Sequence, residues 1–136
     1  MPSRDRRTKG KRFVSSDIPT HDYDQETPVF CVRHVDGAYC ITACSEEQKA
    51  SFLQTIRALS QITWRQILLA SRESKYGSEK LPQTAIGRPK PRHLTADQSL
   101  IAIRFWEKCR MVGYREREIF RIIWFDCDYS LYKHGS

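Results

Sequence analysis

The feature that most constrains this fold is the stretch from Ser99 to His134, SLIAIRFWEKCRMVGYREREIFRIIWFDCDYSLYKH. Three short runs dense in Ile, Val, Phe, Trp and Tyr are broken by Glu-Lys-Cys-Arg and by Glu-Arg. Branched and aromatic side chains suit a pleated, half-buried surface, and short charged breaks join neighbouring strands. The pattern predicts strands at Leu100–Trp106, Met111–Arg115 and Ile119–Asp126. Arg104, Arg115 and Arg121 are threaded through them. A packed sheet face does not accommodate unpaired guanidinium groups. The strands should therefore have one packed face and one solvated or working face. Whether the three arginines share a face is not decided by spacing, because one bulge reverses the alternation. An aromatic and polar tail follows, with Tyr129, Tyr132, Lys133 and His134.

Upstream, two helix starts are written in local code. Ser45–Gln48, SEEQ, is a capping box with acids in the first turn, where the helix dipole favours them. Ala50, Phe52, Leu53, Ile56 and Leu59 follow at helical spacing. Thr63–Gln66 is a second capping box and opens a shorter helix burying Trp64, Ile67 and Leu68. Ser60–Ile62 makes the break. Before the helices, TPVFCVRHV and AYCITA flank Asp36-Gly37, a two-residue turn signal, and predict a hairpin over Thr27–Ala43. In that register Phe30, Val32, His34, Tyr39, Ile41 and Ala43 share the face better suited to a core. Between helices and strands, Ser71–Thr95 has no clear period and contains Gly77, Gly87, Pro82, Pro89 and Pro91. It reads as loop with one short strand or turn. It is basic, with Lys80, Arg88, Lys90 and Arg92 among its cations. A long loop in a small domain often carries function; a solvated connector is the alternative.

These elements predict an α+β fold in one domain of 27–136, with a small twisted, mostly antiparallel sheet packed against two helices. A chain of 136 residues with 40% hydrophobic content supports one core. Residues 1–26 read as a mobile basic leader. Its first twelve residues hold six of the basic side chains against Asp5 alone. They form either a solvated tail or an arm that contacts phosphates. No run approaches a membrane span, and no apolar segment near the start suggests a secretory signal. The expectation is a cytoplasmic protein without a membrane partner, its five cysteines reduced. A net charge of +7 points to an anionic partner.

The chemistry on offer is cationic and acid–base. Cys31, His34, Cys40 and Cys44 superficially resemble a zinc set, but the hairpin register sends Cys31 and Cys40 to one face and His34 to the other. Asp126 and Asp128 lack an obvious third acid for a divalent ion. No phosphate-binding glycine loop or nucleophile elbow occurs. Neither a metal nor a small-molecule cofactor is implied. Lys80, Arg104, Arg115 and Arg121 can stabilise charge on a phosphorane. Tyr132, His134 and His93 can move protons or stack on a base. A metal-free ribonuclease needs this kit: a group to take the ribose 2′-OH proton, cations for the oxyanion, and an acid for the leaving oxygen. The same side chains could instead form a non-catalytic nucleic-acid platform. A third reading is an adaptor for an acidic protein, with Trp106 anchoring the interface.

The closing portion resembles the RelE/YoeB/HigB-type bacterial toxins. The matching pieces are Gly113-Tyr114-Arg115, the strand Ile119–Asp126, and Tyr129-Ser-Leu-Tyr132-Lys-His134. The resemblance implies a metal-independent endoribonuclease that cuts mRNA, commonly on the ribosome, and is silenced by an antitoxin protein. By position, Arg115 matches the family's strand arginine, and Tyr132 and His134 match its tail. Lys80 is matched by lying in a basic segment before the sheet. On this reading Arg115, Tyr132, His134 and Lys80 are the catalytic candidates. Arg104, Arg121, Arg88, Lys90 and Arg92 are the RNA- and phosphate-binding candidates.

Overall fold

The computed structural model describes residues 21–70 and 74–133. Most of the predicted leader, and His134, lie outside the described residues. The fold is α+β. A five-stranded mixed sheet is built from β1 (Val29–Cys31), β2 (Ser78–Leu81), β3 (Leu100–Trp106), β4 (Cys109–Glu116) and β5 (Ile119–Asp126), in the order β1-β5-β4-β3-β2. The three predicted C-terminal strands are present, the middle one longer at both ends. They form an antiparallel meander through turns at Glu107-Lys108 and Arg117-Glu118. Glu107 and Arg117 adopt left-handed backbone at these turns, with φ of 41° and 59°.

Both capping boxes form as the sequence predicts. Ser45 Oγ accepts from the Gln48 amide, and Gln48 Oε1 accepts from the Ser45 amide, at the start of α1 (Glu46–Leu59). Thr63 and Gln66 repeat the arrangement at α2 (Trp64–Leu69). The two helices cover one face of the sheet. Phe52, Leu59, Trp64 and Ile67 pack there on Ile103, Phe105, Met111, Phe120 and Ile122. Trp64 also donates through Nε1 to the Glu118 carbonyl at 2.9 Å, tying α2 to the β4–β5 turn.

The opposite face has its own core of Leu100, Ala102, Val112, Tyr114, Ile123 and Trp124. No helix covers it. Ile86 and Leu94 from the loop after β2, and Leu131 and Tyr132 from the tail, close it over. The bulge between Val112 and Gly113 sets which β5 residues reach this side. At the bulge, a Cβ on Gly113 would sit 2.0 Å from the Arg121 carbonyl oxygen, so only glycine allows the two backbones this approach.

The predicted Thr27–Ala43 hairpin is not formed. Val29–Cys31 instead pairs in parallel with Ile119–Arg121 at the sheet edge. The following segment runs through short 3-10 turns at Gly37–Tyr39 and Ile41–Ala43. The Asp36-Gly37 turn signal is used differently: Asp36 caps a 3-10 turn by accepting from the Ala38 amide. Phe30 joins the helix-side core, whereas Val32 is 57% exposed. Residues 21–26, read as leader, belong to the fold. Asp24 pairs with Arg115 at 2.6 Å, and the Glu26 carbonyl accepts from the Trp64 amide.

The cysteines also depart from expectation. Cys44 and Cys127 are joined in a disulfide, with Cα atoms 5.7 Å apart. On the loop-entropy account, a link across this much chain stabilises by about 4–5 kcal/mol. Cys31, Cys40 and Cys109 are free thiols. No helix among the described residues is long and apolar enough to cross a membrane.

Candidate functional site

The residues with the strongest chemical potential gather on the loop-covered face, near β1. The strap between β1 and α1 brings His34, and the loop after β2 brings His93. Their ring centroids lie 4.3 Å apart at a tilt of 55°. Both line an open groove of about 470 Å³, with Asp36, Arg88, Lys90, Arg92 and Ile123.

One clasp holds strap and loop together. The Asp36 carboxylate accepts from Arg88 Nε at 2.9 Å and from Nη2 at 3.1 Å. It also accepts from Trp124 Nε1 at 3.2 Å, and the Asp36 amide donates to the Ile123 carbonyl. The paired Arg88, above all, holds the Asp36 carboxyl below its ordinary value. Pro89 and Pro91 alternate with Arg88, Lys90 and Arg92. Each proline fixes one backbone angle and keeps this stretch from continuing as helix. Lys90 is tied back by donating to the Ile86 carbonyl. Arg92 and His93 are exposed on a turn closed from Leu94 to Pro91.

Under the histidines, Arg121 donates through Nε to Glu116 at 2.6 Å and reaches the Cys31 sulfur. The ring of Tyr114 stands 5.8 Å from that of His93. Tyr114 is 1% exposed, and its hydroxyl has no hydrogen-bond partner among the described residues. Burial raises its pKa. The His34 pKa is lowered from 6.5, first by burial and then by the charges of His93, Arg121 and Arg33. Glu116 opposes the shift. A neutral imidazole beside several cations is placed to accept a proton at neutral pH. Asp36 and Glu116 are both committed to arginines, and the described groove lining presents mainly donors and positive charge.

The sequence-derived candidates divide. Arg88, Lys90 and Arg92 line the groove, and Arg121 lies behind it. Arg115 points to the helix side. Its guanidinium lies 4.6 Å from the Trp64 ring centroid, bonded to Asp24 and to the Arg117 carbonyl. Lys80 is exposed on β2, at the sheet edge remote from β1. Arg104 donates to the Ser74 carbonyl at 3.3 Å. Tyr132 is buried with Leu131 in the loop-side core, and burial drives its phenol pKa upward. His134 lies outside the described residues. Arg115, Lys80, Arg104 and Tyr132 are thus not brought together with the histidine groove.

His34 and Asp36 are the additions that sequence reasoning did not place at a site. Both were assigned to a hairpin, one as core and the other as its turn. The alternation of Arg, Pro and Lys that ends in His93 was the available signal. Among the described residues, no group of three or more His, Cys, Asp or Glu side chains is placed to hold a metal ion. Asp126 is fully buried and accepts the Ser130 and Leu131 amides, capping the tail. The chain matches no family model, no curated protein and no solved structure at a significant level.

Proposed function

We propose that this protein is a metal-independent endoribonuclease whose acid–base couple is His34 and His93. The observation that carries the reading is the close pairing of these imidazoles in an open groove rimmed by Arg88, Lys90 and Arg92. Neutral His34 takes the proton from a ribose 2′-OH. The 2′ oxygen attacks the adjacent phosphorus, and the bond to the 5′ oxygen breaks. His93, exposed on its turn, gives a proton to the leaving oxygen. The products are a 2′,3′-cyclic phosphate and a 5′-hydroxyl. Lys90, Arg92 and Arg121 offset the charge that builds on the phosphorane. DNA lacks the attacking hydroxyl and is not a substrate.

The resemblance of the C-terminal strands to RelE/YoeB/HigB-type toxins supports the same reaction class. It extends the proposal to mRNA as target, the ribosome as a place of action and an antitoxin protein as silencing partner. In that proposal the acid–base pair comes from the strap and the basic loop rather than from Arg115 and the tail.

The test is incubation of the purified protein with single-stranded RNA in excess EDTA, with product ends identified by mass spectrometry. Cyclic-phosphate ends that vanish in both His34→Ala and His93→Ala support the proposal. Undiminished cleavage in both variants overturns the site. Salt-dependent RNA binding without any product favours the non-catalytic platform.

A further inference from the structure

A second hollow, of about 540 Å³, opens at the far end of the strap, between Tyr39, Ala43, Cys44, Gln48, Cys127 and Ser130. Both sulfurs of the disulfide belong to residues lining it. Cys44 is nearly buried, whereas Cys127 is half-buried and is the more accessible residue of the pair. The link joins two parts of the chain that lie 83 residues apart in sequence. One is the strap 32–44, which contains neither a β-strand nor an α-helix and carries His34 and Asp36. The other is the tail after β5, which contributes Leu131 and Tyr132 to the core beneath the loop of His93. Tyr39 and Ser130 hydroxyls meet at 3.4 Å, so strap and tail touch again beside the disulfide.

We infer that the Cys44–Cys127 disulfide is a reversible latch, opened by dithiol reductants, that keeps strap and tail seated and so regulates the histidine groove. The regulatory half of this inference rests on the ribonuclease reading; the latch itself does not. A thiolate of the reductant attacks the Cys127 sulfur, forming a mixed disulfide and expelling the Cys44 thiolate, which takes a proton. The reductant's second thiol attacks the mixed disulfide, releasing Cys127 as thiolate, which is protonated in turn. Two electrons pass to the protein, and the reductant leaves as its own disulfide. Cys109, which touches Cys127, does not interfere. Cys109 is buried, donates to the Cys127 carbonyl at 3.1 Å and accepts from Gln48 Nε2. Burial, with Asp126 and Glu107, pushes its thiol up to about 11, so it stays protonated and unreactive. The closed form is the active form.

The experiment compares wild type, wild type treated with dithiothreitol, and the Cys44→Ser/Cys127→Ser variant, each checked for fold by circular dichroism. Peptide mapping without reductant, after thiols are blocked, reads the link. Hydrogen exchange over 32–44 and 127–133 reads the seating, and RNA cleavage reads the consequence. The expected result is a Cys44–Cys127 peptide in untreated wild type only. Exchange over both segments should be at least tenfold faster in the other two samples. Cleavage should fall at least tenfold on reduction, and in the double variant it should not respond to reductant. Unlinked cysteines in untreated protein, or exchange that reduction does not change, overturn the latch. Changed exchange with equal cleavage in both redox states overturns the regulation. Absence of cleavage in every sample, with the link and the exchange change present, overturns the ribonuclease reading and leaves the latch standing.

Discussion

The His34 and His93 rings stand 4.3 Å apart although neither residue lies in a strand or an α-helix. Their meeting depends on two loops held to one sheet face. If His34 accepts the 2′-OH proton, it must be neutral to work. Burial and the surrounding cations lower its pKa below 6.5. The acid limb of kcat/KM should therefore inflect below pH 6.5, with activity lost as pH falls through it. Replacing either histidine by alanine should reduce kcat/KM by about 100-fold or more. A stopped assay on a short RNA from pH 4.5 to 8 measures both, and an acid limb above pH 7 would remove His34 from the base role.

Asp36 is the clasp between the loops, so Asp36→Asn should loosen both. Loss of its charged hydrogen bonds should lower stability by about 1–3 kcal/mol at neutral pH. Because the folded-state pKa of Asp36 lies below 3.8, its contribution is complete above that value. It fades as pH falls through the lowered pKa. Urea melts at pH 7 and pH 3 should show the gap between variant and wild type narrowing in acid. A gap that widens in acid would contradict the assignment.

Arg115 serves the helix side. Arg115→Ala removes a cation–π contact with Trp64 and an ion pair with Asp24, and should lower stability by about 1–2 kcal/mol. RNA cleavage by the folded fraction should stay within twofold of wild type. A loss of 100-fold in kcat with normal stability would return Arg115 to the catalytic machinery.

Lys90 and Arg92 rim the groove and should contribute mainly to phosphate attraction. In titrations with a non-cleavable 2′-deoxy oligonucleotide, each alanine variant should flatten the slope of log K against log salt by about 0.7. An unchanged slope in the double variant would place the nucleic acid elsewhere.

Gly113→Ala should be among the most damaging small changes. The new methyl group would meet the Arg121 carbonyl oxygen at 2.0 Å and the Ile122 Cα at 2.9 Å, both backbone atoms that cannot step aside. Parting β4 from β5 should cost about 3 kcal/mol. A chemical melt reads it directly, and a cost below 1 kcal/mol would mean the bulge relaxes.

The parts of this fold legible in sequence are those fixed by neighbours along the chain. The Ser45 and Thr63 boxes close over three residues, and the meander from Leu100 to Asp126 joins adjacent strands. The Thr27–Ala43 stretch misled because Asp36-Gly37 is locally a good turn. Its flanking strand found a better partner in Ile119–Arg121, a choice no short window contains. The site was legible only in its cations. Arg88, Lys90 and Arg92 form a visible basic run, but their convergence on His34 comes from the distant contact of Arg88 with Asp36. Arg115 and Arg121 read alike in sequence; the hairpin register, which sets Arg115 opposite Phe120 and Arg121 opposite Tyr114, places them on opposite faces.

The parallel pairing of β1 with β5 has a consequence for the order of events during synthesis. The strap that carries His34 begins at β1, and β1 has no strand to lie against until Ile119–Arg121 has left the ribosome. Contacts of such long sequence separation form late. The emerging chain therefore shows its helices first and assembles its histidine groove only after the last strand is released. On the ribonuclease proposal, a nascent chain would thus lack its acid–base pair until β5 has emerged.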